Sequence, residues 1–282
     1  MSVTKQQILQ RARQLPGGWV LSMIIKLGWA AIFGGLMLAA IIFTKYVDLP
    51  WLARYDWLFL FAVATQIMLV ITKLEKPHEV ITILVFHLVG LGMELFKTSG
   101  SIQSWTYPES SFFHLGNVPL YSGFMYAAVG SFIARAWRVL ELDYRPYPRR
   151  LYTTFLAIGI YINFFSHHYI YDFRWLLFAA TGLLYSRTWV YYRVHGRRRR
   201  MPFLLTALLS AFFIWLAENV GTFTRTWLYP NQTEQWQLVS LHKLSAWLLL
   251  MLISFILIDS LHYLRLNRQM KLKSPKLKKD PR

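Results

Sequence analysis

Cysteine is absent from the 282 residues. That excludes disulfides, thiolate metal sites and cysteine nucleophiles. Acidic residues are scarce: 13 against 31 Lys and Arg, for a net charge of +18. No stretch shows the period-two alternation of a transmembrane β-barrel. Neither HExxH nor a comparably spaced ligand motif occurs, so the sequence offers no metal site and specifies no cofactor. The long apolar runs carry no central proline. No small-x-small cleavage site follows the first of them, and it is expected to remain as a helix.

What is abundant is apolar surface. Hydrophobic residues make up 55% of the chain and aromatics 17%, more than the interior of a soluble domain can hide. The expected fold class is all-α, a polytopic membrane helix bundle with the lipid bilayer as its main partner. Runs long enough to cross as helices place eight spans at roughly 18–43, 55–72, 79–97, 117–139, 150–167, 172–193, 201–219 and 239–265. The basic residues fall between the runs rather than in a nucleic-acid-binding patch, and nucleic acid is rejected as a partner. Lys73, Lys76, Arg135, Arg138, Arg145, Arg149, Arg150, Arg193 and the run Arg197 to Arg200 collect on one face, with Lys5, Arg11 and Arg13. Lys45, Arg54, Lys97, Arg174, Arg225 and Lys243 are alone on the other. The positive-inside rule then places both termini in the cytoplasm. Residues 266–282 form a basic cytoplasmic tail, whose stretch "KLKSPKLKKDPR" (271–282) is expected to be disordered and to rest on anionic lipid. Protein partners are not indicated.

The chain looks duplicated. "MELFKTSGSIQSWTYP" carries Glu94, Gly100, Trp105, Tyr107 and Pro108; "AENVGTFTRTWLYP" carries Glu218, Gly221, Trp227, Tyr229 and Pro230. Upstream, "YDWLFLFAVAT" from Tyr55 pairs with "YDFRWLLFAAT" from Tyr171. These pairs predict two parallel four-helix repeats, residues 1–145 and 146–265, related by an axis along the membrane normal. Glu94 and Glu218 would then face each other at the outer rim, where a carboxylate is costly unless paired or hydrated. A cap, or a salt bridge to Lys97 or Arg225, is the alternative role. The Trp-x-Tyr-Pro turns suit headgroup depth.

Polar residues present in one half only are the better candidates for chemistry. "YINFFSHHYIYDFRW" sets Asn163 and His167 on one helical face, followed by His168, Asp172 and Arg174. His87 lies two turns before Glu94 on the same face. Histidines beside carboxylates form an acid/base pair or an interfacial hydrogen-bonded layer. Adjacent His rings project ~100° apart on a helix, which disfavours chelation of one ion. His114 and His242 could join either arrangement. Asp259 is expected to pair with Arg135 or Arg138 and hold the halves together. Gly123, Ala127, Ala128, Gly130 and Ser131 should face a close helix neighbour.

The phrases "SWTYPESS", "VPLYSGFMYAAVGSFIARAW", "HHYIYDFRW" and "AENVGTFTRTWLYP" together resemble the YoaT-like family of bacterial membrane proteins, a family of unknown function, over roughly residues 20–265. The resemblance implies a bacterial inner-membrane, multi-pass protein and lends no activity. The order of Glu, aromatic turn and Val-Pro-Leu is also similar to membrane carotenoid-biosynthesis proteins, which act on isoprenoids. These readings converge on an intramembrane enzyme or binder for an isoprenoid- or lipid-like ligand. Glu94, Glu218, His167 and His168 would be its acid/base groups, and Asn163, His87, Trp105, Tyr107, Trp227 and Tyr229 would contact ligand. A transporter built from two parallel repeats and a non-catalytic structural or sensory protein are the alternatives.

Overall fold

The computed structural model describes residues 17–273, with side chains to residue 264. Most of the basic tail and the first 16 residues, with Lys5, Arg11 and Arg13, lie outside the described residues.

The chain is mostly helical. Helices α1 (Gly18–Ala30) and α2 (Ile32–Tyr46) meet at Ala31 with a 69° bend. The first expected span is therefore a broken pair. Helices α3 (Arg54–Ile71) and α4 (Pro77–Lys97) follow. Pro77 opens α4, where its missing N–H costs nothing, and Glu79 caps it by accepting the Lys76 N–H (2.8 Å). A short hairpin, β1 (His114–Leu115) and β2 (Val118–Pro119), leads into α5 (Tyr121–Leu140). Strand β3 (Asp143–Arg145), helices α6 (Arg150–Ser166) and α7 (Arg174–Tyr185), and strands β4 (Trp189–Val194) and β5 (Arg197–Pro202) come next. Helices α8 (Phe203–Phe223) and α9 (His242–Lys273) complete the order.

Four of these helices, α3, α4, α8 and α9, are long and apolar enough to cross a membrane, and five candidates result if α1 and α2 count as one. The expected span 172–193 is corrected. Its helix is 12 residues long, about 18 Å, and the end of the span, from Trp189 on, is a β-strand. His195 and Gly196 both adopt positive φ, which closes the tight hairpin that right-twisted strands favour. Thus "RRRR" is not a loop but the outer strand of an antiparallel sheet ordered β3-β4-β5, with Val190 opposite Met201. Its guanidinium groups lie on aromatic rings: Arg198 over Tyr191, Arg199 over Trp19 and Arg200 over Trp189, at 3.9–4.5 Å.

Helices α4 and α5 run antiparallel in a tight seam. Gly90 backs onto Tyr126, Gly123 onto His87 and Leu91, and Gly130 onto Phe86. A Cβ at Gly90 or Gly123 would stand 2.5 Å and 2.7 Å from these neighbours, so the small residues of α5 do face a close helix. Leu249, Leu252, Ile253, Phe255 and Ile256 of α9 form a second core with Leu156, Ile160, Tyr185 and Phe203.

The expected pairing of Asp259 with Arg135 or Arg138 does not occur. Asp259 takes Arg150 (2.5 Å). Ser131, Arg135 and Arg138 share one face of α5, which looks onto the start of α4. There Arg135 pairs with Glu75 (2.8 Å), each side chain 1% exposed, and Ser131 and Gln66 also donate to that carboxylate. Arg138 pairs with Glu79 (2.9 Å). The two nearer carboxylates take both arginines and leave Asp259 to the N-terminus of α6.

These contacts define two ends. The ion pairs of Glu75 and Glu79, the pair Arg150–Asp259 and the three-stranded sheet occupy one. The C-terminal ends of α4 and α8, which carry Glu94 and Glu218, reach the other.

Candidate functional site

Each repeated glutamate is held by its own repeated turn. Trp105 Nε1 and Tyr107 OH both donate to Glu94 Oε2, at 2.7 Å each. Trp227 Nε1 (2.9 Å) and Tyr229 OH (2.5 Å) both donate to Glu218 Oε1. That is the physical content of the spacing: the helix ends, the chain turns back, and indole and phenol return to the carboxylate one to two turns up the helix. A third donor, the hydroxyl of Tyr126, reaches Glu94 Oε1 from α5 (2.9 Å).

The two turns also grip each other. Thr106 and Leu228, the middle residues of the two Trp-x-Tyr motifs, exchange both backbone hydrogen bonds, 2.9 Å each, as an isolated antiparallel bridge. The rings of Trp105 and Tyr229 contact edge-to-face at 6.3 Å. Glu94 and Glu218 are 5% and 7% exposed and lie within electrostatic reach of each other. Burial pushes the phenols of Tyr107 and Tyr229 well above their ordinary value, so both remain O–H donors.

Among the described residues neither glutamate forms an ion pair. Lys97 and Arg225, the partners considered from sequence, go elsewhere: Lys97 to His168 Nε2 (2.7 Å) and Arg225 to the Thr233 carbonyl (3.1 Å). The donors to Glu218 both fall on Oε1, and Oε2 accepts no hydrogen bond among the described residues.

The histidine stretch adjoins this pair through Lys97, one turn after Glu94. His167 and His168 pack ring on ring at 4.0 Å, and His167 Nδ1 lies 2.9 Å from the Asn163 carbonyl. Asn163 itself is a turn-former. Its amide donates to Asp172 (3.0 Å) and its Oδ1 accepts the Phe173 N–H (2.9 Å), which fixes the α6–α7 connection. Asp172 caps α7 through the Arg174 N–H (2.9 Å). His87 is set in the α4–α5 seam, its ring 4.4 Å from Phe124. His114 and His242 are exposed. No cluster of three His, Asp or Glu side chains suited to a metal occurs among the described residues.

Residues 20–255 match the family described as "Protein of unknown function (DUF817)". The chain belongs to this family. It is 42% identical over 259 residues to "Uncharacterized protein YoaT" of Bacillus subtilis (strain 168), across 90% of this chain and 95% of that one. No solved structure matches.

In this DUF817 chain several residues of the site are not marked by any repeat. Tyr126 is reached only across the helix seam. Arg54 donates to the Thr224 carbonyl and to Thr226 Oγ1, and Tyr55 to the Thr226 carbonyl (2.8 Å), tying the start of α3 to the second turn. The two Tyr-Asp motifs have different roles: Tyr55 is fully buried, whereas Tyr171 is 75% exposed. Gly221 lies against the Trp227 ring, while Gly100 has nothing around it.

Proposed function

We propose that this is a multi-pass inner-membrane protein that binds, and acts as an acid/base on, an apolar isoprenoid- or lipid-like ligand at the end carrying Glu94 and Glu218. The observation that carries the reading is a pair of buried carboxylates, each held by indole and phenol donors and, among the described residues, without a cation at ion-pair distance and with Glu218 Oε2 open. A structural carboxylate in hydrocarbon would be expected to take an arginine, as Glu75 does. Neutral donors hold the group in place while leaving it able to gain or lose a proton.

The rest of the proposal follows the duplication. Repeats 1–145 and 146–265 meet at the Thr106–Leu228 bridge, the point a two-fold axis would cross. Counting α1–α2 as one crossing and α5, α6 and the short α7 as three more gives eight passes. The arginine-rich sheet end then faces the cytoplasm, with both termini. His167 and His168 serve the site through Lys97.

The test is complementation. Lipid and pigment profiles of a strain lacking the gene should be restored by the wild-type chain and not by Glu94→Gln or Glu218→Gln produced at equal level. Full restoration by both variants would remove the acid/base role. Transport is the second reading, favoured by His87, which lies mid-helix on the Glu94 face of α4. Labelling of a cysteine placed at Leu91 from both sides of the membrane would favour it.

A further inference from the structure

Three cations gather beside the glutamates, and two of them, Lys97 and Lys243, have no acid at ion-pair distance among the described residues. Lys97 ends α4 and is 4% exposed. Its ammonium donates to His168 Nε2 (2.7 Å) and lies 4.2 Å above the Phe164 ring. No carboxylate among the described residues comes within ion-pair distance of it. Burial of an ammonium on such terms is unfavourable unless an anion completes its shell. Lys243, at the start of α9, likewise has no acid at ion-pair distance among the described residues, and its Nζ sits 4.1 Å over the Tyr229 ring. Arg174 spends part of its five-donor fork on Asp172 (3.2 Å) and Ser245 Oγ (3.2 Å). Lys97, Lys243 and Arg174 lie within electrostatic reach of one another, with Asp172 in reach of Lys97 and Glu218 in reach of Lys243.

A hydrocarbon groove begins at the next residue. Phe96, Tyr161, Ile162, Phe165 and Tyr169 line an open trough of about 450 Å³. Phe96 directly precedes Lys97, and its ring touches both Phe165 (4.9 Å) and His168 (6.1 Å). Ser166 Oγ, on the wall of the trough, is buried with no hydrogen-bond partner among the described residues. Cationic cluster and apolar trough are thus continuous.

We propose that Lys97, His168, Lys243 and Arg174 hold the phosphate headgroup of a membrane amphiphile whose hydrocarbon chain lies in the Phe96–Tyr161–Phe165 groove. The inference rests on the lipid-like ligand proposed above and adds the chemistry of its head. Two lysines and a fork of guanidinium donors suit a phosphate, which offers several acceptor oxygens at once. The imidazole of His168 keeps the Lys97 ammonium aimed, and the chain, not the phosphate alone, supplies the remaining attraction.

The full chain in a neutral detergent, examined by native mass spectrometry, tests this with phosphatidic acid, phosphatidylcholine of the same chains, and inorganic phosphate. Phosphatidic acid should be retained about tenfold more tightly than phosphatidylcholine. Lys97→Gln and Lys243→Gln should each reduce that preference about fivefold, and Arg197→Gln, on the distant sheet, should leave it unchanged. Lys243 is only partly buried, so its variant reports even if Lys97→Gln lowers folding yield. Ile162→Trp, which fills the groove, should weaken both lipids alike. Displacement of phosphatidic acid by equimolar inorganic phosphate would overturn the lipid assignment in favour of a free anion. Equal retention of the two lipids, both lost in Ile162→Trp, would overturn the phosphate head while leaving the lipid ligand standing. If neither lipid is retained, both readings fall.

Discussion

At Glu218 two buried donors converge on one oxygen, and the choice of substitution separates structure from chemistry. In Glu218→Gln the amide oxygen can accept from Trp227 and Tyr229 as Oε1 does, and the new NH₂ takes the open Oε2 position. Stability should change by no more than about 1 kcal/mol, while any proton transfer at that position is lost. Glu218→Leu strands both donors, at a cost of ~1–3 kcal/mol each, and should lower the unfolding temperature in detergent by several degrees more than the glutamine. Equal melting of the two variants would show that the Trp-Tyr clasp contributes nothing. A second residue-scale prediction concerns His168. Partial burial first, and the Lys97 ammonium next, hold its pKa down from 6.5 to about 4. The neutral ring is thus the folded form's partner for Lys97. Its contribution is complete above the ordinary value and is lost as pH falls from 6.5 through 4. NMR of labelled histidine should find His168 neutral at pH 5.5, and His168→Gln should flatten the loss of stability between pH 7 and 4. Titration of His168 at 6.5 or above would contradict the contact with Lys97.

Elements are where sequence and structure can be compared most directly. Apolar runs marked the long helices, and the small residues of α5 marked its seam, because a bilayer-length run and a glycine stripe each have one cheap explanation. The 172–193 stretch misled for the converse reason. Aromatic and β-branched residues suit a buried helix and a strand alike, and the discriminating signal was the His195-Gly196 turn between two alternating segments. The Trp-x-Tyr-Pro repeat was visible, but its role was not. Interfacial rings and hydrogen-bond donors have the same composition, and only the return of the turn to its helix tells them apart. Tyr126 and the Glu75–Arg135 pair depend on contacts across elements that no local pattern encodes. The glycines make this testable. Sequence aligns Gly100 with Gly221, yet a Cβ at Gly221 would lie 2.0 Å from the Trp227 ring, whereas one at Gly100 meets nothing within 4 Å. Gly221→Ala should lever the indole off Glu218 and cost ~2 kcal/mol or more. Gly100→Ala should be neutral. Scanning fluorimetry of the two variants in one detergent decides the matter, and equal melting would show that the Trp227 ring is not held against α8.

The whole molecule has polar chemistry at both ends but divides it differently. The sheet end satisfies its carboxylates with arginine: Glu75, Glu79 and Asp259 each hold one. The opposite end satisfies Glu94 and Glu218 with indole and phenol, and among the described residues no acid comes within ion-pair distance of Lys97 or Lys243. Ion pairs hold the first end, and the second has pairs of its own, Arg54–Glu109 (2.9 Å) and Arg174–Asp172 (3.2 Å), but none on its two lysines among the described residues. That division has meaning only if the two ends face different compartments, and the chain's lack of cysteine allows a clean test. Ser101 and Ser186 are both exposed, the first beside the glutamate turns and the second beside the sheet. A single cysteine at Ser101 should react with a membrane-impermeant maleimide added to intact cells. A single cysteine at Ser186 should react only after the inner membrane is opened, since the proposed orientation puts the arginine-rich sheet in the cytoplasm. Helices α5, α6 and α7 lie between them in chain order, and none is among the four long apolar ones, so opposite labelling would require an odd number of these three to cross. Labelling of both cysteines from the same side would break the eight-pass arrangement and, with it, the placement of the paired glutamates at the outer rim.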